Sequence, residues 1–519
     1  MFKKILKKIK YQKFYINNNK KIFYSNDILG SLHISPIYRR FLNCKIFGYD
    51  DILEQDIIND KINDWGNNFE SFFEHLINKY NVKYMIKSLG IIYSNTEKIA
   101  FEVRENKVNV TNVCDDVIID LDYNGNAAEL MSRGIKILME RTILRNNKIG
   151  AKSLFSNKDY KKFLAYQFNW SIIGFYSSRN GISKAGIRSE IQIYPFRKDT
   201  INTSTFIEGT CQNKNLSRQN YNPKLFPNIS EQFNQAFKLE KQLDFSTFDI
   251  MLNTFLNYFN NRKNRILLIS LEKFKKIIQE NYKGINLKKF ISNNCLSNMN
   301  INVEYRNIYK SKHKYRLDTL PFILIDNEVL IIKGLIRNSL YYWRNVYNQG
   351  IIPYNDNDLI TAATEKVNYI ISEKMVKDIE LIFKNKSNRT YTNVKYNNIF
   401  GNQPINYGDF DLVSINDSKK IIFNIEVKYI GTSMTGSELE TDLYAFYSKK
   451  GHAFKCNRRN QFMLNNISMF LKYFNAKEYK IYNLMVISKP MEVKVKDDRY
   501  NFETIHYSRL EDYIKLVLD

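Results

Sequence analysis

The sequence lacks several features that would place it in a common functional class. No apolar run approaches the ~18 residues of a membrane-spanning helix, and the N-terminus lacks the apolar core and cleavage site of a signal peptide. The five cysteines show no C-x-x-C spacing, which argues against a zinc site and a disulfide framework. Glycine-rich nucleotide-binding motifs, helicase motifs and internal repeats are also missing. These absences predict a reduced, cytoplasmic protein with no membrane partner and no nucleoside triphosphate site.

The chain instead carries a large excess of positive charge, which is unevenly distributed. Its 78 Lys and Arg outnumber 53 Asp and Glu, for a formal net charge of +25. Residues 356–519 hold 24 basic and 21 acidic side chains, which leaves 54 basic and 32 acidic ones in residues 1–355. Because basic surfaces attract polyanions by counterion release, we expect residues 1–355 to provide most of any nucleic-acid binding. The alternative is that an AT-rich genome raises the lysine content everywhere.

Length and hydrophobic content predict an α/β protein of several domains. The chain has 519 residues, 44% of them hydrophobic, which is enough for more than one core. Residues 1–220 mix strand-like and helical segments and are interpreted as a basic, mixed α/β domain. The polar, proline-containing stretch 211–231 marks a linker. Helical periodicity predicts a mainly helical subdomain over residues 221–350, and a third domain follows over residues 351–519.

An aromatic cluster near the end of the second domain is a candidate nucleic-acid contact. Tyr341, Tyr342 and Trp343 could stack on bases while Arg344 contacts phosphate. The alternative is packing in a core beside Leu340, and an aromatic cluster next to an aliphatic residue favours that interpretation.

The most informative stretch is a predicted β-hairpin in the last third of the chain. The runs on either side of residues 416–419 are rich in β-branched and aromatic residues, and residues 416–419 have turn chemistry. Folding the chain about this turn places Asp411 opposite Glu426, with Lys428 one step further along the same strand face. The hairpin therefore gathers two carboxylates and an amine at one end of two strands.

These three side chains suit metal-assisted hydrolysis of a phosphodiester. Mg²⁺ is held by one or two carboxylates together with waters and phosphate oxygens. A lysine beside the ion can orient and deprotonate an attacking water and can neutralise charge on the scissile phosphate. The alternative is an exposed hairpin with solvated charges, but Glu426 and Lys428 interrupt an otherwise apolar strand. A second Glu-x-Lys, at Glu492 and Lys494, has no Asp on a preceding strand and is set aside.

An Asp followed by Glu-x-Lys on a hairpin resembles the PD-(D/E)xK nuclease superfamily, whose fold is that of restriction endonucleases. The resemblance covers the C-terminal third of the chain, and Gly-Asp-Phe-Asp replaces Pro-Asp, which is a common variant. It implies an α-β-β-α-β core in which Asp411 and Glu426 bind Mg²⁺, with Mn²⁺ as a substitute, and Lys428 is catalytic. It also implies cleavage of DNA in prokaryotic restriction or anti-phage defence.

The resemblance further implies that helices before and after the hairpin contribute to the site. In the long predicted helix before the hairpin, Glu373 fits the family's pattern, although Glu365 lies nearer the edge of the apolar stripe. In the helix after it, Lys455 and Arg459 are four residues apart and match the family's basic residue near the metal and phosphate. The alternatives are a surface ion pair for Glu373 and packing of the aliphatic stems for the two basic residues.

Two other functions stay open from the sequence. The substrate could be RNA, because nothing in the motif distinguishes the two nucleic acids. The chain could also be a non-enzymatic nucleic-acid-binding or scaffold protein with a degenerate nuclease fold, against which the complete set Asp411, Glu426 and Lys428 argues. N-terminal extensions of this size on the family's fold recognise a substrate or a partner, such as a second copy, an ATPase or another defence subunit.

Overall fold

The structure of the protein is a computed structural model that describes most of the chain from residue 221 onwards and parts of the region before it. The described parts before residue 221 are 14–16, 22–23, 81–97 with internal gaps, 110–114, 117–119 and 125–144. From residue 221 the gaps are 222, 224, 261–264, 299–314, 353–357, 387, 406, 432–441, 443 and 490–494. Most of the predicted first domain, residues 211–220 of the predicted linker and the second Glu-x-Lys copy lie outside the described residues.

The N-terminal region contributes a small sheet and one long helix to the described structure. The sheet has the strand order β2-β1-β3-β4, all antiparallel: β1 (Phe14–Ile16), β2 (Ile22–Phe23), β3 (Val110–Cys114) and β4 (Val117–Ile119). The helix α1 (Gly125–Leu144) buries Leu138 and Met139 among its apolar side chains. No helix in the described part of the chain is long and apolar enough to cross a membrane.

The middle region contains both helices and a sheet. Its helices are α2 (Glu231–Lys241), α3 (Phe245–Asn260), α4 (Leu271–Asn281), α5 (Leu287–Asn294) and α6 (Lys333–Gln349). Its sheet has the order β5-β8-β7-β6: β5 (Ile266–Ser270), β6 (Cys295–Leu296), β7 (Phe322–Ile325) and β8 (Glu328–Ile332). The sequence predicted mainly helices here. Strands β7 and β8 are short, continuous apolar runs, and periodicity does not distinguish such runs from buried helix segments.

The C-terminal region is a five-stranded mixed sheet with helices on both faces. Its elements are α7 (Asp358–Lys384), β9 (Arg389–Lys395), α8 (Tyr396–Phe400), β10 (Asp409–Asn416), β11 (Ile421–Lys428), α9 (His452–Asn465), α10 (Ile467–Tyr473), β12 (Lys480–Ile487), β13 (Glu503–His506) and α11 (Leu510–Leu518). The strand order is β13-β12-β11-β10-β9. Strands β9, β10 and β11 are antiparallel neighbours, whereas β12 and β13 run parallel to β11. The protein is therefore a mixed α/β protein, as predicted.

The predicted long helix, the hairpin and the strand after it are all present, but the helix after the hairpin is not continuous. The sequence predicts a single helix for the segment that carries Lys455 and Arg459 and the apolar residues after them. Two helices, α9 and α10, meet instead at Asn466, whose backbone has left the helical region (φ −118°, ψ 34°). The Asn466 side chain donates to the Phe462 carbonyl at 2.9 Å. Such local side-chain bonds compete with the helix and make Asn a poor interior residue.

The two faces of the C-terminal sheet carry different side chains because successive residues of a strand point to opposite sides. On one face, Ile425 and Val427 of β11 pack against Met375 and Ile379 of α7. On the other face, β10 and β11 pack against α9 and α10, with Ile422 in contact with the cluster around Met463. The even-numbered residues of β11 therefore face α9.

One apolar core joins the middle and C-terminal regions. Trp343 of α6 belongs to the same buried cluster as Met375 of α7 and Ile425 of β11. Gly350 ends α6 with a left-handed backbone (φ 62°), and a Cβ at that position would lie 2.3 Å from the Asn368 backbone nitrogen of α7. The predicted boundary near residue 350 therefore separates two helices that pack in a shared core.

Candidate active site

The turn of the β10–β11 hairpin sets the register that brings the candidate site together. The Asn416 side-chain oxygen accepts hydrogen bonds from the Lys419 backbone N–H (3.0 Å) and the Ser418 hydroxyl (2.8 Å). Asn favours turns because its side chain bonds the backbone in this way. The antiparallel pairing that follows runs as far as Leu412 opposite Ile425, and Asp411 and Glu426 are the next residues along the two strands. A local turn thus determines which carboxylates meet.

The side chains at the far end of the hairpin form a compact charged cluster. Lys428 Nζ lies 2.6 Å from Glu426 Oε1, and the Arg459 guanidinium forms an ion pair with the same oxygen. Asp411 Oδ2 instead accepts a hydrogen bond of 2.7 Å from the Val427 backbone N–H. The cluster thus contains two carboxylates and two cations, and both cations bind one carboxylate.

The electrostatics of this cluster differ from those of solvated charges. Burial, together with a smaller contribution from the neighbouring Glu426 carboxylate, raises the pKa of Asp411 to about 6. Burial would lower the pKa of Lys428, but the attraction of Glu426 and Asp411 outweighs it and raises that pKa instead. Lys428 is therefore an ammonium at neutral pH, whereas Asp411 titrates much nearer neutrality than a solvated aspartate. Perturbed carboxyl groups of this kind are common at functional sites.

A network of buried amides holds α9 over the sheet beside this cluster. The Asn424 side-chain nitrogen donates to Asn460 Oδ1 and to Asn483 Oδ1, both at 2.9 Å. Asn424 lies two residues before Glu426 on the same face of β11, and Asn460 directly follows Arg459 on α9. The amides therefore fix the helix where the ion pair forms. The sequence interpretation missed them, although the alternation of polar residues along β11 was a visible signal.

The structure separates the remaining predicted site residues. Helix α7, which carries Glu365 and Glu373, packs on the sheet face opposite the Glu426 side chain. Within the described residues, neither glutamate contacts the site; Glu365 is exposed and Glu373 is half-buried. Lys455 is exposed and, in the same part of the chain, forms no ion pair with either carboxylate. Of the predicted helix residues, the structure brings only Arg459 into the cluster.

A histidine that the sequence interpretation left out lies close to the cluster. His452 begins α9, two turns before Arg459 on the same side of the helix. Burial lowers the pKa of His452, and the positive charge of Lys428 lowers it further. The imidazole is therefore neutral at physiological pH.

The predicted aromatic cluster is mostly part of the core. Tyr342 and Trp343 are 4% and 1% exposed, and Arg344 forms two hydrogen bonds of 2.6 and 2.7 Å with the Asp249 carboxylate. Tyr341 remains 37% exposed. The packing interpretation therefore describes this cluster better than base stacking does.

Asp411 and Glu426 are the residues that could hold a metal ion at this site. Among the described residues there is no group of three or more His, Cys, Asp and Glu side chains placed to bind a metal. The protein would thus supply two carboxylates, which is a usual number for Mg²⁺, and water or phosphate would complete the shell. Burial and, after it, the nearby Glu426 carboxylate raise the pKa of Asp411, and a bound cation would offset both effects.

Comparison with known proteins does not assign the chain to a family. No protein-family model matches it, and neither the curated proteins nor the solved structures yield a significant match. The functional interpretation therefore depends on the residues and geometry of the site itself.

Proposed function

We propose that the protein is a metal-dependent nuclease that hydrolyses phosphodiester bonds in DNA. The observation that carries this proposal is the convergence of Asp411, Glu426, Lys428 and Arg459 at one end of two paired strands. The order of a long helix, three antiparallel strands, two helices and a parallel strand supports a restriction-endonuclease-like core. A role in prokaryotic restriction or anti-phage defence belongs to the same proposal.

In this proposal Asp411 and Glu426 hold a Mg²⁺ ion, for which Mn²⁺ can substitute. The bound ion supplies Lewis acidity toward a phosphate oxygen and lowers the pKa of a coordinated water. The Val427 N–H fixes one oxygen of Asp411, so the carboxylate is oriented before any ligand arrives. Preorganisation of this kind reduces the cost of assembling the site during the reaction.

The two cations act on the phosphate. Lys428 is held as an ammonium by Glu426, so its first role is to donate hydrogen bonds and to stabilise the charge that develops on the phosphate. Arg459 presents a planar guanidinium, which suits the two oxygens of a phosphate group. Both side chains keep some contact with solvent, at 24% and 16% exposure, so a substrate can reach them.

The proposal is tested by incubating the purified full-length chain with plasmid DNA, linear DNA and RNA, each with Mg²⁺, Mn²⁺ or EDTA. We expect DNA cleavage with either metal and none with EDTA. Asp411→Asn and Glu426→Gln should abolish both cleavage and metal binding, whereas Lys428→Met should lower cleavage about 10²–10³-fold and keep metal binding. Lys419→Met, at the exposed turn of the same hairpin, is the matched control.

Three results would change or contradict the proposed function. Cleavage of RNA with intact DNA would make the protein a ribonuclease with the same site. Nucleic-acid binding without cleavage under every metal condition would favour the non-enzymatic function. Equal cleavage by the wild type and all three site variants would remove these residues from the reaction.

A further inference from the structure

Lys428 and Arg459 pair with the same oxygen of Glu426, and further hydrogen bonds fix the position of Arg459. Its guanidinium pairs with Glu426 Oε1, and Nη1 also donates to the Asp409 carbonyl at 3.3 Å. The next residue, Asn460, is held by the buried Asn424 amide. Arg459 is therefore held by both strands of the hairpin, through Glu426 of β11 and Asp409 of β10. Its positive charge is present in the site without any bound ligand.

The charge balance of the cluster limits how many metal ions it can hold. Asp411 and Glu426 bring two formal negative charges to the cluster, and Lys428 and Arg459 bring two positive ones that lie on the Glu426 carboxylate. One divalent ion leaves the site with two positive charges, which a phosphodiester reduces to one. A second divalent ion would raise this excess to three in a site that is only partly exposed to water. Repulsion between like charges grows steeply as the effective dielectric constant falls.

We infer that Arg459 takes the place of a second metal ion, so that the site binds one divalent cation per chain. This inference rests on the proposed nuclease function and specifies its metal content. Arg459 supplies the fixed positive charge that would otherwise require another ion. It also competes with the ion for Glu426, so its removal should strengthen metal binding while it weakens catalysis. A residue that only supports the fold would not change the two properties in opposite directions.

The test is a Mn²⁺ titration of the full-length chain without nucleic acid, by calorimetry and by the electron paramagnetic resonance signal of free Mn²⁺. Ions are assigned to this site when Glu426→Gln removes them. We expect one such ion in the wild type and about tenfold tighter binding in Arg459→Ala, since one like charge a few ångströms from the ion is lost. Arg459→Lys should bind Mn²⁺ as the wild type does. Arg458→Ala, at the neighbouring exposed position, is the matched control and should also be unchanged.

Two results would overturn the inference. One is two Glu426-dependent ions in the wild type. The other is unchanged or weaker Mn²⁺ binding in an Arg459 variant whose melting temperature matches that of the wild type. Arg459→Gln replaces Arg459→Ala if the alanine variant does not fold, because it keeps a polar side chain of similar reach. Failure of the nuclease proposal is distinguishable, because it would appear as a normal one-ion titration with no cleavage.

Discussion

Two buried clusters in this protein contain the same kinds of groups but pair them differently. The first joins α1 to the segment before β7, where Arg316 Nε lies 2.9 Å from Glu140 Oε2 and Lys136 forms an ion pair with Asp318. The second is the candidate site, where Lys428 and Arg459 share Glu426. In the first cluster each carboxylate has its own cation. In the second, among the residues that the structure describes, one carboxylate pairs with both cations and the other accepts a hydrogen bond from a backbone N–H.

The clusters also differ in their access to solvent. The side chains of Lys136 and Arg316 are 10% and 5% exposed, whereas those of Lys428 and Arg459 are 24% and 16% exposed. One-to-one pairing in a closed space is what a structural network requires, because every buried charge must be compensated. Unequal pairing in a more open space leaves a carboxylate available for another cation. The two clusters therefore differ both in how their charges are paired and in how far they are exposed.

The strongest test of this comparison replaces the lysine of each cluster. Lys428→Met should lower the cleavage rate at saturating DNA about 10²–10³-fold with little change in stability, because it removes charge stabilisation at the phosphate. Lys136→Met should destabilise the fold by about 3–5 kcal/mol, because it leaves Asp318 buried without its cation. Urea denaturation and single-turnover rates per folded molecule separate the outcomes. The comparison fails if both variants lose stability alike.

The second test measures how folding stability depends on pH, since Asp411 is the carboxylate of the candidate site that does not share in the two ion pairs. Because the pKa of Asp411 is raised from 3.8 to about 6, the folded protein binds this proton more tightly than the unfolded chain does. The resulting stability is fully present below pH 3.8 and is lost as the pH rises through about 6. Asp411→Asn should therefore stabilise the metal-free protein at pH 8 by about 3 kcal/mol.

The pH measurement is a set of urea denaturations in EDTA at pH 4, 6 and 8. The stabilisation by Asp411→Asn should shrink toward pH 4, where the wild-type carboxyl is mostly protonated. Asparagine keeps the oxygen that accepts from the Val427 N–H, so the variant changes charge and little else. Equal stability of variant and wild type at pH 8 would mean that the Asp411 carboxylate is already compensated.

The third test concerns the amides that position Arg459. Asn460→Ala should cost about 1–3 kcal/mol of stability, since it leaves a buried Asn424 donor unsatisfied, and should lower the cleavage rate about tenfold. Asn388→Ala is the matched control, because Asn388 is buried and accepts a hydrogen bond from Asn416 at the other end of the hairpin. It should cost similar stability without a change in rate per folded molecule.

Coupling between Asn460 and Arg459 gives a further check on this third test. If Asn460 acts by holding Arg459, the effects of Asn460→Ala and Arg459→Ala on the rate should be strongly non-additive in the double variant. Additive effects would mean that the amide network serves the fold alone.

The parts of the site that sequence analysis could predict are those that depend on local structure. Asp411, Glu426 and Lys428 meet because a turn of four residues fixes the register and strand alternation fixes the face. The face of the sheet that a helix covers is harder to predict from the sequence. Glu373 matches the family's pattern, but neither that match nor the apolar periodicity reveals which face of the sheet α7 covers, since the choice depends on the topology of the whole chain.

The same limit applies to the middle region. Strands β7 and β8 are continuous apolar runs, and β5 pairs with β8 across the intervening helices α4 and α5. Pairing between distant segments leaves no periodicity in either one, so the sheet β5-β8-β7-β6 could not be read from the sequence. The shared core across residue 350 is likewise a property of packing between distant helices.

The smallest expected effect concerns Lys455, which the sequence grouped with Arg459. The structure places Lys455 on the exposed side of α9, one turn before Arg459 and outside the ion pair with Glu426. A charge in that position can contact a phosphate of bound DNA without touching the reacting group. Lys455→Ala should therefore weaken DNA binding modestly and reduce the salt dependence of the affinity by about one phosphate contact. The rate at saturating DNA should stay near that of the wild type, whereas Arg459→Ala should lower it.

Lys496→Ala, which removes an exposed lysine paired with Glu503 of the edge strand β13, is the control for loss of one surface charge. A loss of saturating rate in Lys455→Ala equal to that in Arg459→Ala would place both residues at the phosphate and restore the grouping that the sequence suggested.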